Sequence, residues 1–257
     1  MKKIVLLCGL VLLAGCSTEN NQETATTEEA SVSNEISSTS TNDSTTISSS
    51  SENTVAEDTS ALAELQQQYP SQLFPTDIPY DSTNFLNIAA DIEANHVSVL
   101  YYQLPQAYVL NDHHLNDAQP LAAFKQDNFS TTAEAQAAVS KIPADGASQV
   151  DLGSNITGFL EGAAGSTYLA WDEGNWSFNI RANNNANQDP VPIAKEIVNY
   201  LETALLPAPD TDGQVTIDMA VSDYTMTAIS WQEGTVVYTI ENFNYLNGLK
   251  MAVSMAN

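Results

Sequence analysis

A fourteen-residue segment occurs twice without a gap: Thr167–Ile180 (TYLAWDEGNWSFNI) aligns on Thr227–Ile240 (TAISWQEGTVVYTI), sixty positions further on. In both copies apolar and polar residues alternate on either side of a Glu-Gly pair, Glu173-Gly174 and Glu233-Gly234. Period-two alternation is the signature of a half-buried strand, and a glycine between two such runs supplies the positive φ that a two-residue hairpin turn requires. Each copy therefore predicts strand, tight turn, strand. A helical segment follows each hairpin, so the repeating unit is hairpin plus helix, with limits near 148–206 and 214–257. The span from His96 to Ile142, whose strand-like runs also precede a helix, reads as a degenerate third unit. Such units give an α+β fold: antiparallel β-sheet built from repeated hairpin-plus-helix units, with the helices packed on one face. Two clear copies are too few for a solenoid.

The rest of the chain beyond Ala61 follows the same grammar. Leu86, Ile88, Ala90 and Ile92 alternate, as do Val97, Val99 and Tyr101, and Glu93–His96 between them reads as the turn of a further hairpin. Shorter strand-like runs are Ala107–Leu110, Leu121–Phe124, Ile156–Leu160 and Val215–Met219. Thr131 and Glu134 have the spacing of a capping box, and Ala135, Ala138, Val139 and Ile142 form one helical face before Pro143. Asp189-Pro190 suits a cap and first helical position, with Ile193, Ile197, Leu201 and Leu205 in one stripe up to Pro207. A last helix spans Tyr245 to Met255, with Gly248 its weak point.

The N-terminus has a different logic. Lys2 and Lys3 precede an unbroken apolar run from Ile4 to Leu13, followed by Ala14, Gly15 and Cys16. A helix over that run is about 15 Å long, half of a hydrocarbon core of about 30 Å, so it is a signal peptide and no permanent span. Leu13-Ala14-Gly15-Cys16 resembles the lipobox of bacterial lipoproteins. The resemblance implies that residues 1–15 are removed by a peptidase reading Leu13, Ala14 and Gly15, and that the Cys16 thiol carries a diacylglyceryl group. Cys8 lies in the discarded segment, which leaves Cys16 without a disulfide partner. Two acyl chains hold a protein stably where one is marginal, so the mature chain is anchored in the membrane on the extracytoplasmic side.

Residues 16–60 carry that lipid and then a tether. From Ser17 to Ser60 there is no Lys, Arg, Pro, Gly or aromatic residue, and nine acids stand without a base. So few apolar groups cannot offset ordering entropy, and the reading is a disordered, self-repelling spacer with a root-mean-square reach of roughly 35–40 Å. Long Ser/Thr-rich tethers of this kind are similar to those of Gram-positive surface lipoproteins. The chain carries 32 acids against seven bases, a formal charge of −25, which removes duplex nucleic acid as a partner on bulk electrostatics. An anionic lipid surface repels the domain at 61–257 for the same reason.

Catalytic signatures are scarce. The sequence has no Gly-x-Ser-x-Gly elbow, no phosphate-cradling Gly-x-x-x-x-Gly-Lys and no His-Glu-x-x-His. His113 and His114 stand beside Asp112 and Asp117, but neighbours on an extended segment point apart, so the expectation is a solvated loop and no metal. Asp210-Thr211-Asp212-Gly213 has the opening of a calcium loop without its terminal Glu and reads as a turn, as does Gly162–Ser166. Trp171, Trp176, Trp231 and Tyr238 concentrate on the repeated hairpins. An exposed row of them could stack on a sugar ring or a protein partner, while large aromatics under helices ordinarily belong to the core.

These features predict a lipid-anchored binding or interaction module at the cell surface. It is non-enzymatic, needs no cofactor, and meets a cell-wall polymer or another protein. Two further readings stay open: a carrier of a small apolar ligand or lipid, and a divergent envelope enzyme.

Overall fold

Ten strands of six to nine residues, several of them joined by tight turns, are the dominant regular structure in the computed structural model, which describes residues 60–256. In chain order the elements are α1 (Ala61–Gln68), β1 (Phe85–Ile92), β2 (His96–Leu104), β3 (Ala122–Asn128), α2 (Thr132–Val139), β4 (Ser148–Gly153), β5 (Ile156–Ala163), β6 (Ser166–Glu173), β7 (Trp176–Asn183), α3 (Val191–Leu201), β8 (Gly213–Asp218), β9 (Thr227–Glu233), β10 (Val236–Asn242) and α4 (Tyr245–Val253). The strands form one ten-stranded sheet in the order β1-β2-β3-β10-β9-β8-β7-β6-β5-β4. The fold is α+β, an open and mostly antiparallel sheet with four helices packed against it.

The repeat accounts for the one parallel pairing. Each copy ends in a three-stranded meander followed by a helix, β5-β6-β7-α3 and β8-β9-β10-α4, the first preceded by the further antiparallel strand β4. With an odd number of strands the first and last run in the same direction, so stacking a second copy on the first sets β8 beside β7 in parallel, Trp176 opposite Gly213. A parallel neighbour cannot be reached by a tight turn, and α3 makes the crossover. The segment β1-β2-β3-α2 repeats the plan, but joins the sheet edge to edge through the antiparallel pair β3–β10. Gly174 (φ 59°) and Gly234 (φ 60°) each open a two-residue turn with a single positive φ, the hairpin geometry that asks for glycine first.

One face of the sheet carries the main core. Leu65 of α1, Ala194, Ile197 and Val198 of α3, and Leu249, Met251 and Ala252 of α4 pack into one cluster with Val99, Phe124, Ile180, Val215, Ile229 and Ile240. Gly248, the expected weak point of α4, is buried where the helix lies close on the sheet: a Cβ added there would sit 3.3 Å from the Asn242 Cβ, a tight contact. The fourth helix lies on the other face. Ala135 and Val139 of α2 close on Val237, which points away from its neighbours Tyr238 and Ile240 by the period-two rule.

Several local expectations change. Ala107–Leu110 is no strand, because the buried Asn87 amide takes over its backbone: Nδ2 donates to the Gln106 carbonyl at 2.9 Å and Oδ1 accepts from the Tyr108 N–H at 2.6 Å. The capping box forms as read, with Thr131 and Glu134 bonded reciprocally, but α2 stops at Val139 where Ser140 turns left-handed (φ 55°). Ile142 is therefore outside the helix, its N–H donating to the Gln214 Oε1. Likewise α3 ends at Leu201, and Leu205 is 78% exposed. Pro207 and Pro209 hold the residues before them extended, which turns the segment away from the helical path. Helix α1, capped by the Ser60 side chain, was not expected; only its Ala61 and Leu65 are buried, too few to mark a stripe.

Candidate functional site

The two Trp-x-Glu-Gly turns are built alike. Trp171 and Trp231 are buried, at 0% and 1% exposure, and a buried indole N–H needs an acceptor. Two residues on, and so on the same face of the strand, Glu173 and Glu233 supply it: Nε1 donates to Oε1 at 2.8 Å in the first copy and 2.9 Å in the second. Trp171 then stacks on Phe178 with 4.7 Å between ring centroids and 5° between planes, and Trp231 on Tyr238 at 5.2 Å and 28°. The repeated Trp and Glu are thus a core device. Neither Trp171 nor Trp231 offers a ring to a ligand, and Tyr238 is half-buried between Trp231 and Phe124. Of the four candidate aromatics, Trp176 alone lines a cleft that the structure describes.

That cleft, of about 440 Å³, opens beside the β6–β7 turn. At its base lie Trp176 and Phe178, themselves core residues at 7% and 1% exposure, and Leu201, Leu205 and Leu206 wall it from the end of α3. Two hydrogen bonds fix the wall to the hairpin. Trp176 Nε1 donates to the Pro207 carbonyl at 3.0 Å, and Asn175 Nδ2 to that of Pro209 at 3.0 Å. Gly213, opposite Trp176 across the parallel pair, leaves room for the indole; a Cβ there would lie 2.6 Å from the ring.

Among the described residues lining the cleft, Glu173 alone carries charge. Burial pushes its carboxyl above the ordinary value, the Trp171 indole opposes that, and Glu202 adds a second upward push. A half-buried carboxylate at the mouth of an apolar cleft, with no cation beside it in the lining, suits an apolar group that brings a positive or hydrogen-bond-donating head. Sequence reading found Trp176 but missed Glu173 and the Leu201–Pro209 wall. The visible signal was Pro207-Ala208-Pro209 after an amphipathic helix, which marks an extended segment returning over the fold.

The other polar candidates divide. Asp210 and Asp212 are occupied by protein partners, Asp210 Oδ2 accepting from the Gly234 N–H at 2.7 Å and Asp212 meeting Lys141 at 3.3 Å and Gln136 at 2.8 Å. The segment is the turn into β8. His113 and His114 are not on extended backbone: they open a 3₁₀ turn, His113–Asp117, capped by the Asp112 carboxylate. On this backbone the two side chains do not diverge, and their ring centroids are 4.0 Å from each other.

Leu13, Ala14, Gly15, Cys16 and the tether up to residue 59 lie outside the described residues. Among the described residues no helix is long and apolar enough to cross a membrane. Comparison with protein-family models, with curated proteins and with solved structures gives no match.

Proposed function

We propose that the protein is a non-enzymatic binding module held on the extracytoplasmic side of the membrane by a lipid on Cys16, with the cleft beside the β6–β7 turn as its ligand seat. The observation that carries the reading is the pairing of an apolar lining, Leu201, Leu205 and Leu206 over Trp176, with the half-buried carboxylate of Glu173. Apolar burial contributes about 25 cal/mol per Å² covered, and a charge-assisted hydrogen bond about 1.5–3 kcal/mol. The ligand class this favours is an aromatic or aliphatic group bearing an ammonium, free or as part of a wall-polymer or protein partner.

Calorimetric titration of the chain with phenethylamine and with its anionic counterpart hydrocinnamate tests the seat. The amine is expected to bind, the acid to bind at least tenfold more weakly, and Glu173→Gln to erase the difference. Equal binding of the two, or a preference unchanged in E173Q, contradicts the reading. The anchor is tested separately by detergent phase partitioning, where Cys16→Ser is expected to move the chain to the aqueous phase.

The size of the cleft, within the 300–1,000 Å³ usual for small-molecule sites, favours one further reading: a carrier of a small apolar ligand. Native mass spectrometry of the protein from its own host separates the two, since a carrier retains a reproducible added mass.

A further inference from the structure

Two of the three histidines in the chain are adjacent, and the fold turns both onto one carboxylate. Asp112 caps the turn His113–Asp117, its Oδ1 accepting from the His114 N–H at 2.9 Å, and Leu115, 1% exposed, pins the turn into the core. The cap folds its own carboxylate back over the first residues that follow. His114 Nδ1 lies 2.7 Å and His113 Nδ1 3.4 Å from the same oxygen, and the three ligand atoms fall within 4.8 Å of one another. At metal–ligand bonds of about 2.0–2.1 Å, a tetrahedral ion holds its ligand atoms about 3.3 Å apart. The His113 distance already matches that edge. The His114 distance needs to open by about 0.6 Å, a small rotation for an exposed imidazole.

The surroundings hold the group in place. The Tyr108 ring stacks on His114 at 5.0 Å and 22°, and the Tyr108 backbone is itself tied to the buried Asn87. Beyond the imidazoles lies a second cleft, of about 510 Å³, lined also by Leu104, Gln106 and Asp117 and by no Lys or Arg. The cleft brings a further carboxylate, Asp117, beside the two imidazoles.

We propose that Asp112, His113 and His114 bind one zinc ion through a carboxylate oxygen and two Nδ1 atoms, with the remaining position open to this second cleft. Each ring then carries its proton on Nε2. Two imidazoles select a borderline ion such as zinc over the hard ions magnesium and calcium. The histidine side chains are 79% and 55% exposed, which makes the ion exchangeable, in contrast to one built into a core.

Equilibrium dialysis of the full chain in detergent against zinc chloride, with excess magnesium to occupy ordinary acidic surface, tests the site. The expected result is one zinc per chain, with affinity reduced at least tenfold in each of His113→Asn and His114→Asn and unchanged in His96→Asn, whose ring is paired with Asp127 elsewhere. Asp112→Asn is the decisive variant. Asparagine caps a turn as well as aspartate does, so the circular dichroism spectrum should hold while zinc is lost. No zinc retained, or binding that survives in H113N and H114N, overturns the proposal.

Discussion

The hairpins β6–β7 and β9–β10 share a sequence motif, a turn geometry and an indole–carboxylate bond, yet only the first borders the cleft that holds Trp176. The difference arises one residue beyond the turn. Position 176 is Trp where position 236 is Val, and the large ring reaches across the parallel junction to the Pro207 carbonyl. The second turn has a different partner: Asp210 accepts from the Gly234 N–H, drawing the loop before β8 against it. A repeated unit has thus kept its core device in both places and become a candidate site in one. What decides the outcome is the neighbour each copy meets in the sheet.

The largest test removes the shared device. Trp171→Ala and Trp231→Ala should each lower unfolding free energy by about 3–5 kcal/mol in urea titrations, because each deletes a fully buried indole. A small loss in one of them would mean that the copies are not equivalent in the core. Next in size is Gly213→Ala, whose Cβ would fall 2.6 Å from the Trp176 ring. Overpacking of that kind costs about 1–3 kcal/mol, and it should also reshape the cleft, so weaker phenethylamine binding by calorimetry accompanies the loss.

A test of similar size separates the two glutamates. Either Glu→Ala change leaves a buried indole N–H unpaired, at about 1–3 kcal/mol. Glu173 adds a pH dependence. Its carboxyl is raised by burial, so the folded state holds its proton more tightly than the unfolded chain does, and the stability this gives at acid pH is lost as pH rises above 4.5 towards the folded value. Urea midpoints measured across that window should fall less steeply in Glu173→Gln than in the parent chain. An identical slope in the two would contradict the assignment of burial to Glu173.

The hairpins were legible in the sequence because their information is local. Alternation, Gly174 and Gly234, and the Thr131–Glu134 box each act within a few residues, and all formed. Ala107–Leu110 was misread because a strand and a loop clamped by a distant asparagine can carry the same apolar pattern. The parallel β7–β8 contact and the β3–β10 seam join units far apart in the chain, and no local signal encodes such neighbours. The candidate site was half visible for the same reason. Trp176 stood out by type, but the floor of the cleft and its wall come from segments about thirty residues apart, brought together by Trp176 and Pro207. Neighbouring histidines read as divergent on extended backbone, whereas a single 3₁₀ turn brings these two rings together.

The central claim, that one hairpin serves the core while its twin also serves a ligand, can be read from three signals. The chain has three tryptophans, so a nitrogen-15 spectrum of the full protein in detergent shows three indole N–H resonances. Titration with phenethylamine is expected to move the Trp176 signal most, and Trp171 and Trp231, whose ring lies 6.2 Å from that of Trp176, only weakly. Equal movement of Trp231, or no movement of Trp176 at saturation, would contradict the account.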